Sequence, residues 1–173
     1  MRFKAVTTSS MSVLLWLSGA LLFLAPGNAG ASTKGNLEAT AEAKSYLSME
    51  AFSLGSLIAQ LKFEGYSTAE ATYGAEHAGA NWNNEAVLSA KQYLGTQAFS
   101  LKGLINQLKF DKFTVSQARF GVAHCRANWN VEAYKSAKEY LSLENFSKSG
   151  LIGQLKYDGF TAAQATYGVN RAY

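Results

Sequence analysis

A period of 47 residues, kept without a gap through three successive copies, constrains this chain more than any other feature. Asn36, Asn83 and Asn130 hold the same place in the three copies, and from each the same residues return at the same offsets. These are Glu38/Glu85/Glu132, Ala43/Ala90/Ala137, Tyr46-Leu47/Tyr93-Leu94/Tyr140-Leu141, Phe52-Ser53/Phe99-Ser100/Phe146-Ser147, Leu57-Ile58/Leu104-Ile105/Leu151-Ile152, Gln60-Leu61-Lys62/Gln107-Leu108-Lys109/Gln154-Leu155-Lys156 and Gly74/Gly121/Gly168. A fixed period of this size means small units in tandem, which supply binding surface more often than a catalytic pocket. The copies occupy residues 36–82, 83–129 and 130–173, behind a short linker at 32–35. Each is too small to bury much apolar surface alone, so neighbouring units are expected to pack together.

Within a unit the spacing predicts three short helices and an all-α fold. Asn36, Asn83 or Asn130 is a suitable N-cap for the first, with Glu two residues on at the positive end of the helix dipole. Ala39, Ala43, Tyr46 and Leu47 then form one apolar stripe. Ser53, Ser100 or Ser147 caps the second helix, whose stripe is Leu54, Leu57, Ile58 and Leu61. Gly65 and Gly159 suit its left-handed end; Lys112 stands there in the middle copy, where positive φ would cost roughly 1 kcal/mol. The third helix opens with a capping box, Ser67/Glu70, Thr114/Gln117 or Thr161/Gln164. Ala71 and Gly74, three apart, let it approach a neighbour closely. Trp82 and Trp129 precede the second and third copies. They can pack across the seam between units or stack on a sugar or other ligand.

The first 31 residues read differently. Arg2 and Lys4 precede an apolar run from Ser12 to Ala25, then Pro26 and Gly27, with small residues Ala29 and Ala31 at the positions a signal peptidase reads. The run is shorter than the roughly 20 residues that span a bilayer comfortably. Two readings stand, a cleaved signal peptide and an uncleaved N-terminal anchor, and both place the protein outside the cell or on its surface. The membrane would be met only through this segment. The full chain carries +4. Residues 36–82 hold two basic and six acidic side chains, a net charge of −4; residues 83–129 hold six and two, a net charge of +4. So dipolar an array is a poor general nucleic-acid binder. The basic side chains of the middle unit, Lys102, Lys109, Lys112, Arg119 and Arg126, suit an anionic wall polymer or an acidic partner, or are an ordinary solvated face.

No site for chemistry emerges. His77 and His124 are equivalent, yet Arg171 replaces them in the third unit. No nucleophile, base and orienting group fall at recognisable spacing, no His or Cys pair has metal-ligand spacing, and no phosphate or dinucleotide fingerprint occurs. The expectation is a protein without enzymatic activity, cofactor or metal. The one cysteine, Cys125, reads as a buried small hydrophobe. Gln60, Gln107 and Gln154 with Lys62, Lys109 and Lys156 recur outside the apolar stripe. They mark a continuous binding edge or simply an inherited duplication.

The phrase A-K-x-Y-L, then F-S, L-I-x-Q-L-K, G-[YF]-[ST]-x-x-[EQ]-A-x-[YF]-G and N-W-N-x-E-A resembles the Ltp family, host cell surface-exposed lipoproteins of Gram-positive bacteria and their prophages. The likeness runs through residues 36–173. It implies three tandem three-helix, helix-turn-helix-like repeats. It also implies superinfection exclusion, in which the modules contact a phage tape-measure protein and block DNA injection. One feature departs from the pattern: a lipoprotein carries its lipid on a Cys at the end of the signal segment, and Cys125 is far from there. The functions expected are thus an exported protein-binding module and, as the alternative, a module that binds peptidoglycan or wall polymer. DNA binding through the helix-turn-helix-like pair is disfavoured by export and by the near-neutral charge of the repeats.

Overall fold

The computed structural model describes residues 32–173. The signal-segment reading, with Ala29 and Ala31, falls outside them. Nine helices and no strand occur among the described residues. Unit 1 holds α1 (Thr33–Met49), α2 (Leu54–Phe63) and α3 (Thr68–Glu76). Unit 2 holds α4 (Trp82–Thr96), α5 (Leu101–Phe110) and α6 (Val115–His124). Unit 3 holds α7 (Trp129–Leu143), α8 (Lys148–Tyr157) and α9 (Ala162–Ala172).

Local chemistry sets these boundaries. The hydroxyls of Ser53, Ser100 and Ser147 accept the N–H three residues on, at 3.0, 2.9 and 3.1 Å. The third helices begin with reciprocal capping boxes in all three units. Each second helix closes through a left-handed residue, Gly65 at φ 98°, Lys112 at 67° and Gly159 at 96°. The residue after it donates its N–H to the carbonyl of Leu61, Leu108 or Leu155, which satisfies a helix-end acceptor. The first helices start earlier than the sequence suggests. Their N-caps are Ser32, Asn81 and Asn128, not Asn36, Asn83 and Asn130. Asn81 accepts from the N–H groups of Asn83 and Asn84, both at 3.1 Å. The asparagine two residues upstream already satisfies those donors, so the helix absorbs the tryptophan as its first residue.

Inside each unit the first helix lies along the third, and the second packs against both. The first–third contact is backbone against backbone. A methyl built on Gly74 would sit 2.6 Å from the carbonyl carbon of Ala39, and one on Gly121 2.5 Å from the Ala86 oxygen. One on Gly168 would sit 2.5 Å from the Ala133 carbonyl. The second helix supplies the bulk: Leu57 and Leu61, Leu104 and Leu108, Leu151 and Leu155 are fully buried. Burying each is worth roughly 1.5–3 kcal/mol.

The units pack against one another as expected, but they do not merge into one apolar core. Each has its own cluster of buried residues, and every helix pair packed along its length lies within one unit. Two devices join them. Trp82, the first residue of α4, is half-buried against the core of unit 1, and Trp129 likewise against the core of unit 2. The second device is polar. The start of α2 abuts the end of α5, and the start of α5 abuts the end of α8. Ser53 Oγ donates to the Asp111 carbonyl, and Ser100 Oγ to the Asp158 carbonyl at 2.6 Å. The second helices thus meet head to tail, the N-terminus of one at the C-terminus of the next.

Each joint accommodates one lysine. At the first, Lys112 faces Gly55, where an added methyl would meet the Lys112 Cβ at 2.9 Å. At the second the types are exchanged: Gly159 faces Lys102, and an added methyl would meet the Lys102 Cβ at 3.1 Å. The lysine stem fills the same gap from opposite sides.

Two stability measurements test this account. Gly74→Leu is expected to destabilise the protein by roughly 1–3 kcal/mol through overpacking, and an unchanged denaturation midpoint would refute the close helix contact. Gly55→Lys and Lys112→Gly should be non-additive, coupled by roughly 0.5 kcal/mol or more. Additive effects in a double-mutant cycle would mean that the joint does not exist in solution.

Candidate binding surface

The recurring glutamines do not form a free binding edge. Gln107 donates its Nε2 to the Tyr93 hydroxyl at 3.1 Å and to Asp111 at 3.3 Å, while Tyr93 donates to the other Asp111 oxygen at 2.7 Å. Gln154, Tyr140 and Asp158 repeat the triangle at 3.2, 3.0 and 2.9 Å. Gln60, Tyr46 and Glu64 form it in the first unit. The amide thus ties the first helix to the end of the second. Constant spacing of a Tyr, a Gln and an acid was the signal for this network, although the acid varies in type. Burial raises the carboxyl pKa of Asp111 and of Asp158 against the lowering effect of their hydrogen bonds. Burial, then the hydrogen bond to Asp158, pushes Tyr140 up to about 12, and Tyr93 is raised for the same reasons.

The lysines behave differently. Lys62, Lys109 and Lys156 lie exposed in the last turn of α2, α5 and α8. None is in an ion pair among the described residues. Beside each stands an aromatic residue that the sequence reading passed over. Phe63 is 80 % exposed, Phe110 70 % and Tyr157 88 %. Their 47-residue recurrence directly after the lysine was the available signal. A large aromatic is left in water at the same place three times, on a helix whose other face holds two fully buried leucines, which makes this face the candidate contact surface.

The middle unit's other basic residues divide into two groups. The stems of Lys102 and Lys112 fill the joints between units, which accounts for their positions without a ligand. Arg119 and Arg126 are exposed and outside any ion pair among the described residues. Arg126 holds φ 61° where the first unit has Gly79 at φ 79°. A side chain in that region costs roughly 1 kcal/mol relative to glycine.

Each histidine is held by its own helix. His77 Nδ1 lies 2.8 Å from the Tyr73 carbonyl, with its ring stacked on Tyr73, and His124 repeats this on Phe120. Cys125 is buried at the end of α6, where its thiol donates to the Val122 carbonyl. No group of three or more His, Cys, Asp or Glu able to hold a metal occurs among the described residues. No described helix is long and apolar enough to cross a membrane.

The family model described as host cell surface-exposed lipoprotein, Ltp, matches the chain three times, over residues 35–77, 81–125 and 128–171. No curated protein and no solved structure matches it.

The tyrosine triangles predict an alkaline transition. A tyrosine whose folded pKa is raised favours the native state fully below its unfolded value near 10, and that contribution is lost as pH rises through the folded value, about 12 for Tyr140. The denaturation midpoint should therefore fall between those limits, and Tyr140→Phe should make the fall shallower. An identical pH profile for the variant would exclude the coupling.

Proposed function

The chain belongs to the Ltp family of host cell surface-exposed lipoproteins, and from that premise we propose that it is a non-enzymatic binding protein of the bacterial surface. Its role in this reading is superinfection exclusion: it engages a protein of the phage injection apparatus, such as a tape-measure protein, and stops DNA injection after adsorption. The observation that carries this reading is the exposed aromatic beside an unpaired lysine, Lys62-Phe63, Lys109-Phe110 and Lys156-Tyr157, at the end of the second helix in every unit. Aromatic rings give large contact area at low entropic cost, and the neighbouring ammonium adds orientation. Three equivalent contacts on one chain gain further through effective concentration. Arg119 and Arg126 extend the basic character of the middle unit.

A second reading, binding to an anionic wall polymer, draws on those same unpaired arginines. The two differ in what the aromatics do: a protein contact needs them desolvated, whereas charge attraction to a polymer depends on the lysines and arginines and weakens with salt.

In cells displaying the protein, phage adsorption should be unchanged and DNA injection reduced. Phe63→Ser, Phe110→Ser and Tyr157→Ser together should restore injection at least tenfold. Their melting temperature should stay near that of the parent, because each ring already lies in water. Full protection by the triple variant would overturn the assignment of this surface. Retention on purified walls that is lost with Arg119→Ala and Arg126→Ala, without any effect on phage, would favour the wall reading.

A further inference from the structure

The two seams between units are built alike but differ in what they expose. At the first, one cleft is lined by Leu47, Met49 and Leu88, with Glu50 on the unit 1 side and Lys91 on the unit 2 side. Met49 is 52 % and Leu88 49 % exposed. The residues one period later are Leu94, Thr96 and Lys135, with Gln97 and Lys138 in place of Glu50 and Lys91. Both the apolar floor and the acidic side are thus particular to the first seam. This seam also divides the strongest charge contrast in the molecule, −4 on residues 36–82 and +4 on residues 83–129. Within the chain the contrast is left uncompensated: the ion pairs among the described residues are Lys34–Glu38 and Lys135–Glu132, both local.

An apolar centre with opposite charges on its two sides is self-complementary under a two-fold rotation. We propose that this cleft is the centre of an antiparallel contact between two copies of the chain. Leu47, Met49 and Leu88 of each copy meet at the axis, and the acidic unit 1 of one copy lies over the basic unit 2 of the other, twice. Glu50 of each copy then faces Lys91 of its partner. The arrangement covers the exposed apolar floor and gives the desolvated centre and charged rim of a specific interface. It leaves unit 3 free, so the surface proposed for phage contact is not consumed there.

Sedimentation velocity on the protein recovered from its expressing host tests this, at low and high salt, over about 1–100 µM, the range of modest affinities. The parent should shift from monomer to dimer with concentration, and salt should weaken the dimer. Leu88→Lys places on α4 the residue that α7 carries at the equivalent position, so the variant should fold and should be monomeric. Glu50→Lys and Lys91→Glu should each weaken the dimer at least tenfold. An equal mixture of these two variants should dimerise again, because each Lys then faces a Glu across the axis. A parent that stays monomeric at low salt would overturn the proposal. So would a dimer that survives Leu88→Lys, or a mixture of folded charge variants that fails to associate.

Discussion

The fold of each unit depends on one close approach, that of the third helix to the first at Gly74, Gly121 and Gly168. A side chain there would meet the carbonyl of Ala39, Ala86 or Ala133 well inside contact distance. With those backbones in contact, the buried faces of the first and third helices are mostly alanine, and two leucines from the second helix fill most of the remaining space, joined by Phe99 and Phe113 in unit 2 and Phe160 in unit 3. A unit built so thinly has a small core. This explains why so much of its remaining chemistry serves the helix ends, in caps, capping boxes and the Tyr–Gln–acid triangle that fastens helix one to the end of helix two. Interactions worth about 1 kcal/mol each count for more when the apolar term is small.

The same economy explains how the units are joined. Broad apolar contacts between units would have fused three cores into one, but each cluster of buried residues is confined to one unit. What remains for the seam is a tryptophan reaching back to the preceding core and the abutting ends of the second helices. Helix ends suit that task, since an N-terminal serine and a C-terminal carbonyl have unused donors and acceptors. The exchange of lysine and glycine between the two joints shows steric complementarity maintained by different residues. It also shows that Lys112 in the left-handed region is tied to Gly55 opposite, a small residue where its stem needs room.

Much of this was legible in the sequence. The period, the serine caps, the capping boxes, the left-handed Lys112 and the close-packing glycines all follow from local rules that need only spacing and residue type. The errors arose where two local signals competed or where the answer lay on another helix. Asn83 and Asn130 are good caps, yet Asn81 and Asn128 come first and cap the helix two residues earlier. Gln60, Gln107 and Gln154 lie outside the apolar stripe and so read as surface. The acid each one meets lies four residues on, but the tyrosine lies 14 residues back on another helix, and nothing in the helical period points there. Phe63, Phe110 and Tyr157 follow conspicuous lysines, and their exposure became evident only once the second helix had a fixed rotation about its axis.

Duplication explains likeness between units, so the informative positions are those where the units have diverged. The middle unit carries Lys112 and Arg126 in left-handed backbone where the first has Gly65 and Gly79. Lys112 has a steric reason at its joint. Arg126 takes the same conformation, which favours glycine by roughly 1 kcal/mol. Arg126 adds to the +4 of a unit that stands next to one of −4, so the units diverge in charge as well as in shape. The first seam supports the same view. Met49, Leu88 and Glu50 replace the Thr96, Lys135 and Gln97 found one period on, and all three changes fall in one cleft between the oppositely charged units. The shared framework therefore sets the fold and the repeated aromatic–lysine positions, and the divergent residues give each unit its own place in the array.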